Sequence, residues 1–427
     1  MAEVVVVGAG LAGARTCAVL RTAGVTGRVV LLGAEPEPPY DRPPLTKDPD
    51  AEVDLRTAMG LDVFGLADDV RLGVRAEALL VEPGSPGRLV VACSDGTDVE
   101  ARAVVVATGA SPILPGGWKR SGVHVLHTRA EAGSFWGAVG SGVHGVVVGG
   151  GGVGCEAAAT AAARGAHVDL VEAGGQVLAG HVPAQVSQRV AAWLAESGVQ
   201  VHTGHPVQRI EDAQGALLVD GIPADLVRVA MGVQPETAWL VGSGIEGAAG
   251  GAVRVDPWGR SALPGVFALG DAAARWSPRY RTHLPGGHWT EALNAPETVG
   301  AAVAQWLIRA RRAEWWGSAP NVPAADAIPY VFSDIAQRTL LVLGAPGTER
   351  VVWREAGGAA PPGSEAWSAF ALDASDRLLG LCTSGRPRDL AAARRAMRAH
   401  PTGTPRTVPG ALADPDAGPD AMFPGEG

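Results

Sequence analysis

The sequence predicts an α/β chain with two doubly wound, Rossmann-like domains and a smaller α+β domain, on three observations. "VVVVGAGLAG" at the start and "GVVVGGGGVGCEAAA" near residue 150 each join a β-branched run to a glycine loop and a helix-spaced segment. Two more apolar runs, "ARAVVVATGASP" and "GVFALGDAA", read as parallel strands buried on both faces. Past residue 320 the pattern changes to alternating strands joined by turns.

The first glycine loop has Gly8, Gly10 and Gly13 at GxGxxG spacing, between a strand and the helical "ARTCAVLRTAG". The second strand, "RVVLLGAE", ends at Glu35, about 20 residues beyond the last glycine, where such folds bind a ribose hydroxyl. The second loop repeats the arrangement with Gly149, Gly151 and Gly154, and Glu172 ends its second strand. A single such loop can be a turn that merely lets a helix pack closely; two in one chain, each closed by an acid, point to two dinucleotide sites. Thr108 and Gly109 end the "AVVVATG" strand, and Asp271 follows Gly270 at the end of "GVFALGD". There a carboxylate faces the crevice where open α/β sheets bind ligands, although it could also cap a following helix.

The later segments "IPYVFSDIAQRTLLVLG", "RVVWREAG" and "AWSAFALDASDRLLGLCTSG" read as strands, and "RPRDLAAARRAMRA" as a closing helix. The expected organisation is one domain from 1–113 and 244–320, a second from 114–243, an α+β domain over 321–400, and a poorly ordered Pro/Gly/Asp-rich tail over 401–427. A net charge of −9 gives no general reason to bind nucleic acid. No apolar run approaches the roughly 18–20 residues of a membrane span, and the start has no basic targeting segment, so a cytoplasmic enzyme is expected. The cysteines Cys17, Cys93, Cys155 and Cys382 form neither CxxC nor CxxxxC. The histidines, His283 and His288 included, show no metal-ligand spacing.

One stretch stands apart. "EPEPPYDRPPLTKD" carries five prolines and ends beside Lys47, one of two lysines in a chain that otherwise uses arginine. Lysine is the cation whose compact ammonium suits a place close to chemistry.

"PYDRPPLTK", "VVVGGGGVGCEAA", "GVFALGDAA", "HWTEALNA", "PYVFSD" and "GRPRDLAAARR", in this order, resemble the FAD-dependent pyridine nucleotide reductases. More narrowly they resemble the ferredoxin/rubredoxin reductase branch, with putidaredoxin-reductase-like enzymes and apoptosis-inducing factor as relatives. The resemblance covers roughly residues 3–400 and implies a glutathione-reductase-like fold. It implies that the first loop and Glu35 hold the ADP half of FAD, and that the second loop and Glu172 hold NADH. It places Asp271 at the ribityl–phosphate region and Trp289 near the flavin ring. Arg42, Thr108, Gly109, Val153 and Gly232 complete the implied cofactor contacts.

Related disulfide reductases carry a redox cysteine pair in the stretch that here ends at Lys47. The resemblance implies that Lys47 reaches the flavin N5 edge and pairs with Glu156, just after the second loop. An ammonium there would stabilise the anion left by hydride transfer, and Glu156 would keep it charged and oriented. Glu172, with no arginine in the "AGGQ" that follows, implies NADH rather than NADPH.

Electrons would pass singly to a ferredoxin, most naturally of the 2Fe–2S type, serving an oxygenase. An acidic ferredoxin would dock on a local basic patch, either Arg309, Arg311 and Arg312, or Arg386, Arg388, Arg394, Arg395 and Arg398, with Arg394, Arg395 and Arg398 near one helix face. The sequence departs from the family at His127 (usually Arg), Gln176 (usually basic), Phe332 (usually Trp) and within "GGHWTEALNAPE". These departures leave a second reading, a diverged flavoprotein acting directly on a small molecule.

Overall fold

The computed structural model describes residues 2–47, 51, 53–81, 88–213, 216–248, 250–309, 316, 318–324, 328–346, 350–355 and 365–424. The chain forms two compact units: Met1–Asp41, Ala51–Ser111 and Gln234–Ala327 make one, and Arg42–Asp50, Pro112–Val233 and Ile328–Gly427 the other.

In the first unit the opening strand Ala2–Val7 pairs in parallel with Val29–Gly33 on one side and Asp98–Val106 on the other. Both of its faces are packed, so its β-branched run has no solvent face. Its side chains alternate between two cores. Val4 and Val6 face Leu11 and Leu20 of the helix Leu11–Thr22 and Val299 of the helix Trp289–Arg309, while Val5 and Val7 face Leu240 and Val253. Asp69–Leu72 and Val266–Ala268 extend the parallel set. The hairpin Ala76–Val81 and Leu89–Cys93 joins antiparallel to Asp98–Val106, an addition that the sequence reading did not contain. Asp271 caps no α-helix. Gly270–Ala272 is one 3-10 turn that runs straight into the strand Ala273–Ser277.

Beside a small antiparallel sheet of Ile210–Ala213, Ala216–Val219 and Ile222–Ala224, the second unit holds two five-stranded sheets. One is parallel, in the spatial order Val199–Thr203, His167–Glu172, His144–Val148, Leu226–Val229, Val123–His124. The other is antiparallel, in the order Tyr330–Ile335, Arg338–Gly344, Leu378–Ser384, Trp367–Leu372, Arg350–Glu355, with the helix Pro387–Ala399 following its last strand, as the alternating segments predict. Within this unit Trp367 is fully buried. Its ring lies 6.1 Å from Trp193 of the helix Ala184–Glu196 and 5.4 Å from Trp353. The Arg189 guanidinium sits 4.8 Å over Trp353. This aromatic joint fixes the antiparallel sheet against the parallel one and so sets where the strand Tyr330–Ile335 falls.

The expectation of a poorly ordered tail is corrected for residues 401–424. They form the short helices Pro409–Ala413 and Pro419–Met422, and Leu412 and Met422 enter the core around Phe370 and Met397. A buried arginine explains why so polar a stretch packs. Arg354 donates to the carbonyls of Pro415 and Ala417 at 3.0 and 2.6 Å, and Asp389 lies 3.6 Å from its Nε. Composition could not disclose an anchor that lies some sixty residues upstream. Leu412→Ala should therefore lower stability by about 2–5 kcal/mol, the usual cost of a buried leucine truncation. Chemical denaturation checks this, and a change near zero would show the tail to be unpacked.

Candidate functional site

The two glycine loops are built alike. Gly8 and Gly149 have φ of +115° and +110°, where a side chain is strained. A Cβ on Gly8 would lie 2.1 Å from the Ala107 carbonyl oxygen, and one on Gly149 2.3 Å from that of Ala230. The third glycines bring helix and strand together: a Cβ on Gly13 or on Gly154 would sit 1.9 Å from the carbonyl oxygen of Gly8 or Gly149. The middle glycines differ in kind. Gly10 and Gly151 are the N-caps of the helices Leu11–Thr22 and Gly152–Ala163, have no side-chain cap, and would place a Cβ in open space. Each loop is thus a bare helix N-terminus with room before it, a cradle for a pyrophosphate.

In the first unit Thr108 and Gly270 come up to the glycine loop, and Asp271, Trp289 and Glu35 are each held by a hydrogen bond of their own. Thr108 follows the residue that touches Gly8, and its hydroxyl donates to the Glu236 carbonyl at 2.6 Å. Gly109 has φ +71°. Gly270 lies against Ala12 of the loop helix, and the next residue, Asp271, accepts the backbone N–H of Gly287 at 2.9 Å. Two residues on, Trp289 donates its indole N–H to Asp41 at 2.6 Å. Glu35 accepts the hydroxyl of Tyr40.

In the second unit Glu172 is held by its own loops. One carboxylate oxygen accepts the N–H of Gly150 and the other that of Gly174, both at 2.6 Å. Val153 is half exposed on the first turn of the loop helix. Gly232, at φ +100°, follows the strand that meets Gly149, and its carbonyl accepts the N–H of Ile113 at 3.0 Å. Arg42 donates to the carbonyl of His127, and Glu131 accepts the N–H groups of His127 and Thr128 in a capping box. The guanidinium that does occur here therefore secures the chain at the position where an arginine is missing.

Lys47 ends the one-turn helix Pro44–Lys47. Its ammonium lies 3.4 Å from Glu156 and 2.9 Å from Asp334, with the ring of Phe332 centred 4.3 Å away. Glu156 is 5% exposed and fully engaged. One oxygen accepts the Ser333 hydroxyl at 2.6 Å and the Asp334 N–H at 3.1 Å, and the other accepts the Thr46 hydroxyl at 2.7 Å. Burial pushes the Asp334 carboxyl up, but hydrogen bonds from Thr339 and Lys47, with the Lys47 charge, outweigh it and hold the group below the usual carboxylate range. The sequence motifs mark Lys47 and Glu156 but not Thr46, Ser333, Asp334 or Thr339. The "SD" of "PYVFSD" sets a hydroxyl beside an acid but marks neither as belonging to the Lys47 cluster.

All four cysteines are buried and outside any disulfide. Burial pushes the thiols of Cys17, Cys155 and Cys382 up to about 12. Such thiols are poor nucleophiles and poor redox partners. His283 packs edge-on against Trp276, 5.2 Å between ring centres.

Residues 2–305 match the model of the pyridine nucleotide-disulphide oxidoreductase family. The chain belongs to that family. It is similar to the ferredoxin–NAD(+) reductase component of the p-cumate 2,3-dioxygenase system of Pseudomonas putida, 28% identical with 97% of each chain covered. It is also similar to rhodocoxin reductase of Rhodococcus erythropolis, 30% identical over 92% of this chain and 89% of that one. Among solved structures, the reductase in the covalent putidaredoxin reductase–putidaredoxin complex has a TM-score of 0.81 at 25% identity, covering 97% of this chain and 96% of that one. As an oxidoreductase of this family the protein uses FAD and NADH. The two bare helix N-termini fit two such dinucleotides.

The fixed anion of Glu172 generates a specific expectation. Glu172→Ala should weaken NADH binding roughly 10- to 100-fold, the loss of a charged hydrogen bond worth about 1.5–3 kcal/mol, and should leave NADPH binding unchanged or tighter. Stopped-flow titration with each nucleotide measures this, and an equal loss for both would show that Glu172 only braces Gly150 and Gly174.

Proposed function

We propose that this flavoprotein passes electrons from NADH to a ferredoxin of the 2Fe–2S type that serves an oxygenase, in the cytoplasm. The first unit would hold FAD through Gly8, Gly10, Gly13, Glu35, Thr108, Gly109, Asp271 and Trp289. The second would hold NADH through Gly149, Gly151, Val153, Gly154, Glu172 and Gly232, with Arg42 bracing the segment that leads to Lys47. The observation that carries the reading is the Lys47 cluster: an ammonium clamped between Glu156, Asp334 and Phe332 occupies the stretch where related disulfide reductases keep thiols. The protein's own thiols are buried and protonated, so no thiol relay is at hand and electrons would leave the flavin for an external acceptor.

FAD, when bound, supplies acceptance of a hydride and release of its electrons one at a time. The chain's own residues do the rest. The bare helix N-termini neutralise phosphate charge, Glu172 orients a ribose, and Lys47 offers a fixed positive charge where negative charge develops. The names of the relatives support a ferredoxin as acceptor. Among the described residues no helix is long and apolar enough to cross a membrane.

The basic surface for such a partner is narrower than the sequence suggests. On the helix Pro387–Ala399, Arg388, Arg395 and Arg398 are exposed. Arg394 is half-buried with its guanidinium 5.4 Å over Tyr330, and Arg386 is bound to Asp389 at 2.6 Å. In the other candidate cluster, Arg311 and Arg312 lie outside the described residues. Reversing charge at Arg388, Arg395 and Arg398 should slow ferredoxin reduction roughly tenfold or more at low salt and remove its salt dependence, while NADH-to-ferricyanide turnover persists. Unchanged ferredoxin turnover at low salt would place the partner elsewhere. Failure to reduce any of a panel of 2Fe–2S ferredoxins would defeat the proposed function itself.

A further inference from the structure

Lys47 has two carboxylate partners, and they are not equivalent. Glu156 is buried and already accepts three hydrogen bonds, from the Thr46 and Ser333 hydroxyls and the Asp334 N–H, so its carboxylate is fixed without the lysine. Lys47 approaches it only to 3.4 Å. Asp334 is closer, at 2.9 Å, and its side chain is 44% exposed. Its second oxygen accepts the Thr339 hydroxyl at 2.6 Å. Thr339 lies opposite Asp334 in the register of the strands Tyr330–Ile335 and Arg338–Gly344, so the sheet itself aims the carboxylate. The Phe332 ring, on the same strand, supplies the ammonium with a π face.

We propose that Asp334 is the positioning residue for Lys47: braced by Thr339, it holds the ammonium in place, while Glu156 chiefly ties the strand Tyr330–Ile335 to the turn that carries the lysine. The proposal deepens the reading that Lys47 faces the flavin, and rests on it for its electrostatic consequence. Two carboxylates against one ammonium leave the cluster with net negative charge, which offsets part of the stabilisation that Lys47 gives a reduced, anionic cofactor. Asp334 then performs two separable tasks. It orders the lysine, and it lowers the potential that the lysine would otherwise raise.

The test uses the FAD-loaded enzyme grown with 13Cε-lysine. Only Lys47 and Lys119 carry the label, so each methylene is assigned by substitution. In the native enzyme Lys47 should show restricted Cε motion. Asp334→Asn should let it approach the free motion of a surface lysine and shift the flavin midpoint potential upward. Thr339→Val keeps the charge and frees one carboxylate oxygen, so it should loosen Lys47 partly and leave the potential near native. Asp334→Glu should restore the native potential. An unchanged Lys47 order in Asp334→Asn would overturn the proposal. Loss of order in Asp334→Asn together with a potential unmoved both there and in Lys47→Met would uphold positioning by Asp334 and instead overturn the placement of Lys47 at the flavin, so the two failures are distinct.

Discussion

The arrangement depends on one buried anion. A carboxylate removed from water costs several kcal/mol unless its oxygens are satisfied, and Glu156 is satisfied only if three distant pieces of chain converge on it. The turn Pro44–Lys47 brings the Thr46 hydroxyl and the Lys47 ammonium. The strand Tyr330–Ile335 brings the Ser333 hydroxyl and the Asp334 N–H. The helix Gly152–Ala163 brings Glu156 itself, and its poly-alanine surface lets the other elements come near. Two further contacts hold the convergence: Trp136 donates its indole N–H to the Leu45 carbonyl at 2.7 Å, and Thr160 donates to that of Thr46 at 3.2 Å. The segment Arg42–Asp50 accordingly belongs with the second unit, although it follows directly on the first.

The same helix serves two purposes from one end. Its N-cap, Gly151, leaves backbone N–H groups bare for a phosphate, and five residues later Glu156 ties the turn that carries Lys47 to the strand Tyr330–Ile335. The two dinucleotide loops share glycine geometry to within a few tenths of an ångström but differ in how their acids are held. Glu35 takes a phenol hydroxyl from Tyr40, and Glu172 takes two backbone N–H groups. An acid held by two backbone N–H groups keeps its direction, which suits discrimination between a free and a phosphorylated ribose.

Much of this was legible in the sequence because its causes are local. A β-branched run, glycines at fixed spacing and a terminal acid each constrain the chain within some thirty residues, and the two loops, Lys47 and the strands past residue 320 are of that kind. The antiparallel hairpin Ala76–Val81 and Leu89–Cys93 is also local, but its alternation is weak and no motif marks it. Asp334 is hidden in the sequence for a different reason. Its partner lies 287 residues away, and nothing in "FSD" distinguishes an acid that will meet an ammonium from one that faces water. The tail misled because its composition is that of disorder, whereas its order comes from Arg354 in a strand already built. Phe332 stands in the sequence only as a departure from the family pattern, and its place beside the Lys47 ammonium is set by the three-dimensional packing.

Under the proposed function the flavin is the sole redox centre of this chain, with no thiol pair to share its electrons. Anaerobic titration of the FAD-loaded enzyme with NADH tests this directly through stoichiometry, followed by flavin absorbance. If the flavin is the sole redox centre, bleaching should be complete with about one equivalent of NADH per FAD, the capacity of a single two-electron carrier. An endpoint near two equivalents would reveal a second two-electron centre, such as a disulfide formed by cysteines that lie buried and unpaired in this structure, and would contradict the account.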